Sequence, residues 1–133
     1  MEHRLVFYPK NHLVVLYTHG MATTDGLRAL VTDLLAHPNW VPGMTILADH
    51  RELNFHALSA ADVEIFRHFI KTKKDSIGPA RVATIVKDPS SYGMTRMWEI
   101  PLEDEVRFDH RVFYIGNDAK AWLGLSIDDE PLL

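Results

Sequence analysis

Residues 45–55 read TILADHRELNF, four apolar or small residues from Thr45 to Ala48 followed by Asp49, His50, Arg51 and Glu52. With Met44 added, the first part, MTILA, is apolar at every position but Thr45. That pattern suits a strand covered on both faces, as in a parallel sheet packed between helices, rather than the alternation of a half-exposed hairpin strand. The elements on either side fit a parallel sheet. Upstream, Leu27, Leu30, Val31, Leu34 and Leu35 fall at i, i+3, i+4, i+7 and i+8, behind Thr and Asp residues suited to capping and ahead of Pro38. Downstream, Ser59 stands three residues before Asp62, a capping-box spacing, with Leu58 placed to staple Val63. Val63, Phe66, Phe69 and Ile70 then share a face, and Gly78 is placed to end the helix.

The same reading extends to both ends of the chain. Residues 4–8 and 12–18 are short, β-branched and aromatic, separated by Pro9, Lys10 and Asn11, which predicts an antiparallel hairpin. "ARVATIVK" (80–87) reads as a further buried strand, and Asp88 followed by Pro89 opens a helix over 89–100. A strand is expected over 106–115, with Val106, Phe108, His110, Val112 and Tyr114 on one face. Asn117 is expected to cap a short last helix carrying Ala119, Trp122 and Leu123, and residues 126–133 read as a loosely held tail. The predicted order is ββαβαβαβα, a single α/β domain over 1–133 with a mixed, mostly parallel sheet and an antiparallel opening hairpin.

Composition narrows the function. The chain has 133 residues, 47% hydrophobic and 24% charged, enough for one core and without a low-complexity tract. Its formal charge of −4 opposes long-range attraction to phosphate backbones, so no nucleic-acid partner is expected. Cysteine is absent, which excludes disulfides, thiolate nucleophiles and cysteine-based metal sites. The start "MEHRLVFYPKNH" lacks the pattern of a signal peptide and no apolar run reaches the length of a membrane span, so the expected location is cytoplasmic, with any membrane contact peripheral. No Walker loop, G-x-G-x-x-G, G-x-S-x-G or H-E-x-x-H is present, and neither a cofactor nor a metal is expected.

These residues, in this order, resemble the SpoIIAA-like family of small bacterial proteins, relatives of the STAS domain. The resemblance rests on Leu47 to Asp49, Leu58 to Asp62, Arg81 to Ala83, the "YGMTRMWE" segment from Tyr92 to Glu99, Phe113, and Ala121 to Leu123. It implies a mixed sheet with helices packed on it, frequent homodimerisation, and kinship in shape to the lipid-binding CRAL-TRIO domains. It also implies a binding or regulatory role rather than catalysis.

Several residues are candidates for a site. Asp49, His50 and Arg51 sit where a parallel strand ends, the place where open α/β sheets bind ligands, and an Asp–His pair there has the parts of an acid–base site. The plainer reading is preferred: a turn whose short carboxylate accepts backbone N–H bonds, with no catalytic residue. Tyr92, Met94, Met97 and Trp98 present two thioethers and two large rings along one side of the helix over 89–100, either as core or as a lid over an apolar ligand. His110, between Phe108 and Val112, is read as a packed histidine with satisfied nitrogens. Ser59 begins a helix where a phosphate would be favoured, but the D-S-S-G type segment of phosphorylated STAS antagonists is missing, and capping is the preferred role. The leading function is therefore a non-enzymatic module for a small apolar or lipid-like ligand, with peripheral membrane association. A STAS-type module that binds a regulatory protein partner is the alternative, and an enzyme using Asp49 and His50 comes third.

Overall fold

The computed structural model describes residues 1–99 and 109–133, with side chains for all of these but residues 98 and 99. β1 (Glu2–Tyr8) and β2 (Leu13–Met21) form the expected antiparallel hairpin, joined through a single 3-10 turn at Pro9–Asn11. There follow α1 (Thr24–Ala36), β3 (Thr45–Asn54), α2 (Ala60–Thr72), the one-turn α3 (Lys74–Ile77), β4 (Arg81–Ile85), α4 (Pro89–Glu99), β5 (Asp109–Phe113) and α5 (Gly116–Trp122). The order is the predicted one, with α3 continuing α2 after a break at Lys73. The expected strand positions Val106, Arg107 and Phe108 lie outside the described residues.

The five strands lie in sequence order, β1-β2-β3-β4-β5, and every pair after the opening hairpin is parallel. When crossovers of one hand always step in the same direction, their helices fall on the same face. Accordingly α1 packs on α2 and α2 on α4, while α5 packs on β4 and β5 from the other side. The alternation of side chains then divides the core. Val14, Leu16, Ile46 and Ala48 meet Leu30 and Leu34 of α1, whereas Leu13, Val15, Leu47, Ala83 and Ile85 meet Ala119 of α5. The uninterrupted apolar run of β3 is thus accounted for by burial on both faces.

Helix ends follow the local chemistry. Asp62 N–H donates to Ser59 Oγ at 3.1 Å and Ser59 N–H donates to Asp62 Oδ2 at 2.9 Å, a complete capping box. Ser91 N–H donates to Asp88 Oδ1 at 2.8 Å, so Asp88 caps α4. Gly78 ends α3 at φ 71°, and a Cβ there would lie 2.8 Å from the backbone nitrogen of Gly43. Gly78→Ala combines that contact with left-handed strain and is expected to lower stability by more than about 1 kcal/mol in urea unfolding. An unchanged midpoint would mean that the 43–78 contact is not rigid.

Two expectations are corrected. Asn117 does not cap α5: the helix begins two residues earlier than such a cap would set it, at Gly116, with Ile115 in the N-cap position and no side-chain cap, because Asp118 N–H already reaches the Ile115 carbonyl. Nor is the tail 126–133 loosely held. Lys120 is fully buried, and its ammonium donates to the carbonyls of Ile127 (3.2 Å), Asp129 and Pro131 (2.7 Å), drawing the segment against the body. Leu133 then packs against Gly116, where any Cβ would lie 2.5 Å from that of Leu133. The polar composition of the segment hid this clasp, since the bonds run to its backbone.

Candidate functional site

β3 does not stop at Asp49 but runs on to Asn54, so the preferred turn reading of 49–52 is overturned. Tyr17 pairs with Asp49 and His19 with Glu52, leaving Thr18 opposite two residues, His50 and Arg51. This is a β-bulge, which inserts one extra residue and shifts the alternation of the strand. Before it, Ile46 and Ala48 face the helices; after it, Leu53 and Phe55 do. The local carboxylate bond expected of a turn survives within the bulge: Arg51 N–H donates to Asp49 Oδ1 at 3.2 Å.

The bulge separates the three candidates. Asp49 takes a two-pronged bond from Arg51, Nε to Oδ1 at 2.9 Å and Nη2 to Oδ2 at 2.8 Å. Burial alone would raise the Asp49 carboxyl, but the Arg51 bonds outweigh it and hold the group below its usual range. Asp49 borders a cleft with Tyr17, whose ring carries the Arg4 guanidinium 4.4 Å from its centroid. His50 instead turns to the helix side. Its Nδ1 lies 2.6 Å from Thr18 Oγ1, and its ring meets Phe55 edge-on with centroids 6.0 Å apart. Asp49 and His50 each have another partner and form no hydrogen-bonded dyad.

What His50 faces is a cavity of about 100 Å³ between the sheet and helices α1, α2 and α4. Leu16, Leu30, Ile46, Val63 and Phe66 are among the apolar side chains that wall it. Its polar lining is small: His50, Thr84, Thr95 and Asp62. Thr95 is buried and donates its hydroxyl to the Ser91 carbonyl at 2.9 Å. Thr84 is also buried, 2.7 Å from Nε2 of His110, which therefore sits in the packed position expected of it. Asp62 reaches the cavity from the capping box of α2 and accepts from Thr24 Oγ1 at 3.2 Å, joining the starts of α1 and α2. Burial depresses both imidazoles, His50 to about 4 and His110 to about 3, so each is neutral at pH 7.

The α4 candidates divide between inside and outside. Met94 is partly buried and lines the cavity, while Met97 is 49% exposed and Tyr92 stacks on Tyr114 with centroids 5.2 Å apart. The buried face of α4 carries Ser91 and Thr95 rather than the thioether stripe. Trp98 belongs to α4, and its side chain lies outside the described residues. Ser59 is held as a cap by the bonds described above. Among the described residues no three His, Asp or Glu side chains gather as a metal-binding group, and no helix is long and apolar enough to cross a membrane.

Thr18, Thr84 and Thr95 are the site residues the sequence reading missed. The signal was available for two of them: in "HLVVLYT" and "ARVATIV" a threonine stands at a helix-facing position where the pattern calls for an apolar residue. A hydroxyl in such a place needs a buried partner, and histidine is one of the few side chains able to supply it.

Comparisons with known proteins bear on the fold. No family model matches the chain, and none of the curated proteins does. Among solved structures, it is similar to an uncharacterised protein of the DUF3478 family with a SpoIIAA-like fold from Shewanella loihica PV-4. Sequence identity is 18%, 92% of each chain is covered, and the TM-score is 0.54. With a sheet in sequence order behind an antiparallel hairpin, the chain has a SpoIIAA-like α/β fold.

Proposed function

We propose that the protein is a non-enzymatic binding module that takes a small apolar ligand, or the apolar end of a lipid-like one, into the cavity beneath α1, α2 and α4. The observation that carries this reading is the cavity itself: about 100 Å³, walled by aliphatic and aromatic side chains, with a few polar groups on its wall. A dry engineered cavity of about 150 Å³ is known to accept benzene, so a space of this order takes a ring or a short hydrocarbon segment. A longer chain requires α4 to move, and Met94 is the flexible side chain that α4 contributes to the lining.

Filling the cavity tests the reading. Ala48 is buried and lines it, so Ala48→Met is expected to change stability by less than about 1 kcal/mol while abolishing uptake of a fluorescent naphthylamine probe. In a fully packed core the same change overpacks and costs about 1–3 kcal/mol. Native mass spectrometry of protein taken from its own cells gives the companion measurement, a bound apolar mass lost in Ala48→Met. A large stability loss with no probe binding by the parent protein would leave the cavity as a packing defect.

A second reading, contact with a regulatory protein or a membrane surface, is favoured by one observation. Tyr114 and Ile115, where β5 ends near α4, are 47% and 60% exposed, and Met97 of α4 is exposed as well. Co-sedimentation with anionic vesicles, compared between the parent and Ile115→Ser, distinguishes this surface from the internal cavity.

A further inference from the structure

Resting on the cavity reading above, we infer that the ligand is a neutral apolar molecule carrying a hydroxyl group, which donates a hydrogen bond to Nε2 of His50. Thr18 has one hydroxyl hydrogen and two close partners, the Asp49 carbonyl at 3.3 Å and His50 Nδ1 at 2.6 Å. A carbonyl only accepts, so the assignment that makes both contacts hydrogen bonds gives the Thr18 hydrogen to Asp49 and lets Nδ1–H of His50 donate to Thr18. Nε2 then carries a lone pair on the side chain that lines the cavity.

Two of the other three polar groups on the wall present the same polarity, and the third, Thr84, is taken up by Nε2 of His110 at 2.7 Å. Thr95 has committed its hydrogen to the Ser91 carbonyl, leaving lone pairs on Oγ1. Asp62 is an ionised carboxylate, its affinity for a proton lowered chiefly by the backbone N–H and hydroxyl of Ser59. His50, Thr95 and Asp62 therefore all accept. A fatty-acid carboxylate, which can only accept and carries the same charge as Asp62, is disfavoured. A cation loses its hydration in an apolar space. A hydroxyl on an apolar body donates once and needs nothing charged in return.

The test uses three probes of one shape: phenol, benzene and benzoate, titrated into the full chain by calorimetry and followed by methyl NMR. Phenol is expected to bind about two- to tenfold more tightly than benzene, the range of one net hydrogen bond, with benzoate the weakest. His50→Phe, which keeps a ring but removes the acceptor, is expected to erase the phenol advantage, phenol and benzene then binding that variant equally. Nitrogen-15 shifts of His50 supply a readout that needs no variant: a protonated Nδ1 and bare Nε2 are expected. Benzene equal to phenol, benzoate equal to phenol, or a protonated Nε2 would overturn the hydroxyl inference and leave the cavity reading standing. Failure of all three probes to perturb the cavity methyls would sink both.

Discussion

Between pH 7 and pH 5 the protein is expected to lose about 4 kcal/mol of stability, roughly 2 kcal/mol from each buried histidine. His50 and His110 have an ordinary pKa of 6.5 and folded-state values near 4 and 3, lowered first by burial; the neighbouring Asp49 charge opposes part of the shift at His50, while His50 and Arg96 add to it at His110. Both values lie below those of the unfolded chain, so the unfolded state binds more protons throughout this window. Stability is therefore fully present above pH 6.5 and declines as pH falls toward 3. His50 keeps some exposure where it borders the cavity, so water admitted there makes its share the smaller. Urea midpoints at half-unit steps, with His110→Gln as a control expected to flatten the lower part of the curve, give the measurement. A midpoint constant from pH 7 to 5 would mean that neither imidazole is buried in the folded protein.

Lys120→Met is expected to cost about 2–4 kcal/mol and to release residues 126–133. The ammonium uses its three hydrogens on three carbonyls of the tail, and no part of the side chain reaches solvent. Methionine keeps the hydrocarbon stem and removes every one of those bonds. Because the tail can swing into water, the carbonyls regain partners there, which keeps the cost below that of a sealed unpaired charge. Leu133 leaves Gly116 in the same event, exposing apolar surface beside α5. Faster hydrogen exchange confined to 126–133, with a lowered unfolding midpoint, is the expected signature. Exposed Lys10 provides the comparison: its replacement by Met is expected to shift stability by less than about 0.5 kcal/mol.

The parts of the structure that were legible in sequence are those set by short-range chemistry. Ser59 with Asp62, Asp88 ahead of Pro89, and Gly78 each specify a helix end through bonds or torsions spanning a few residues, and each does so in the structure. The apolar run of β3 specified burial on both faces, and with it the parallel sheet. The site was legible only in pieces. His50 was noticed beside Asp49, yet the bulge that turns the two apart depends on how β3 pairs with β2, about thirty residues away in the chain. Lys120 gave no signal at all, because its partners are carbonyls, which every residue has. The stripe on α4 was divided for a related reason: which of its residues turn inward depends on how the helix packs, and there Ser91 and Thr95 are buried, Met94 lines the cavity and Met97 is exposed.

The bulge opposite Thr18 also has a meaning for length variation. Tyr17 still pairs with Asp49 and His19 with Glu52 on either side of it, so one residue of β3 is surplus to the ladder. Arg51 can be counted as that residue: without it, Thr18 would face His50 alone, and Leu53 and Phe55 would keep their places in the core. The guanidinium that clamps Asp49 is therefore an insertion carried by the sheet rather than a member of its register. At this one point the fold has room to gain or lose a charged group on its outer face while the cavity behind it stays the same.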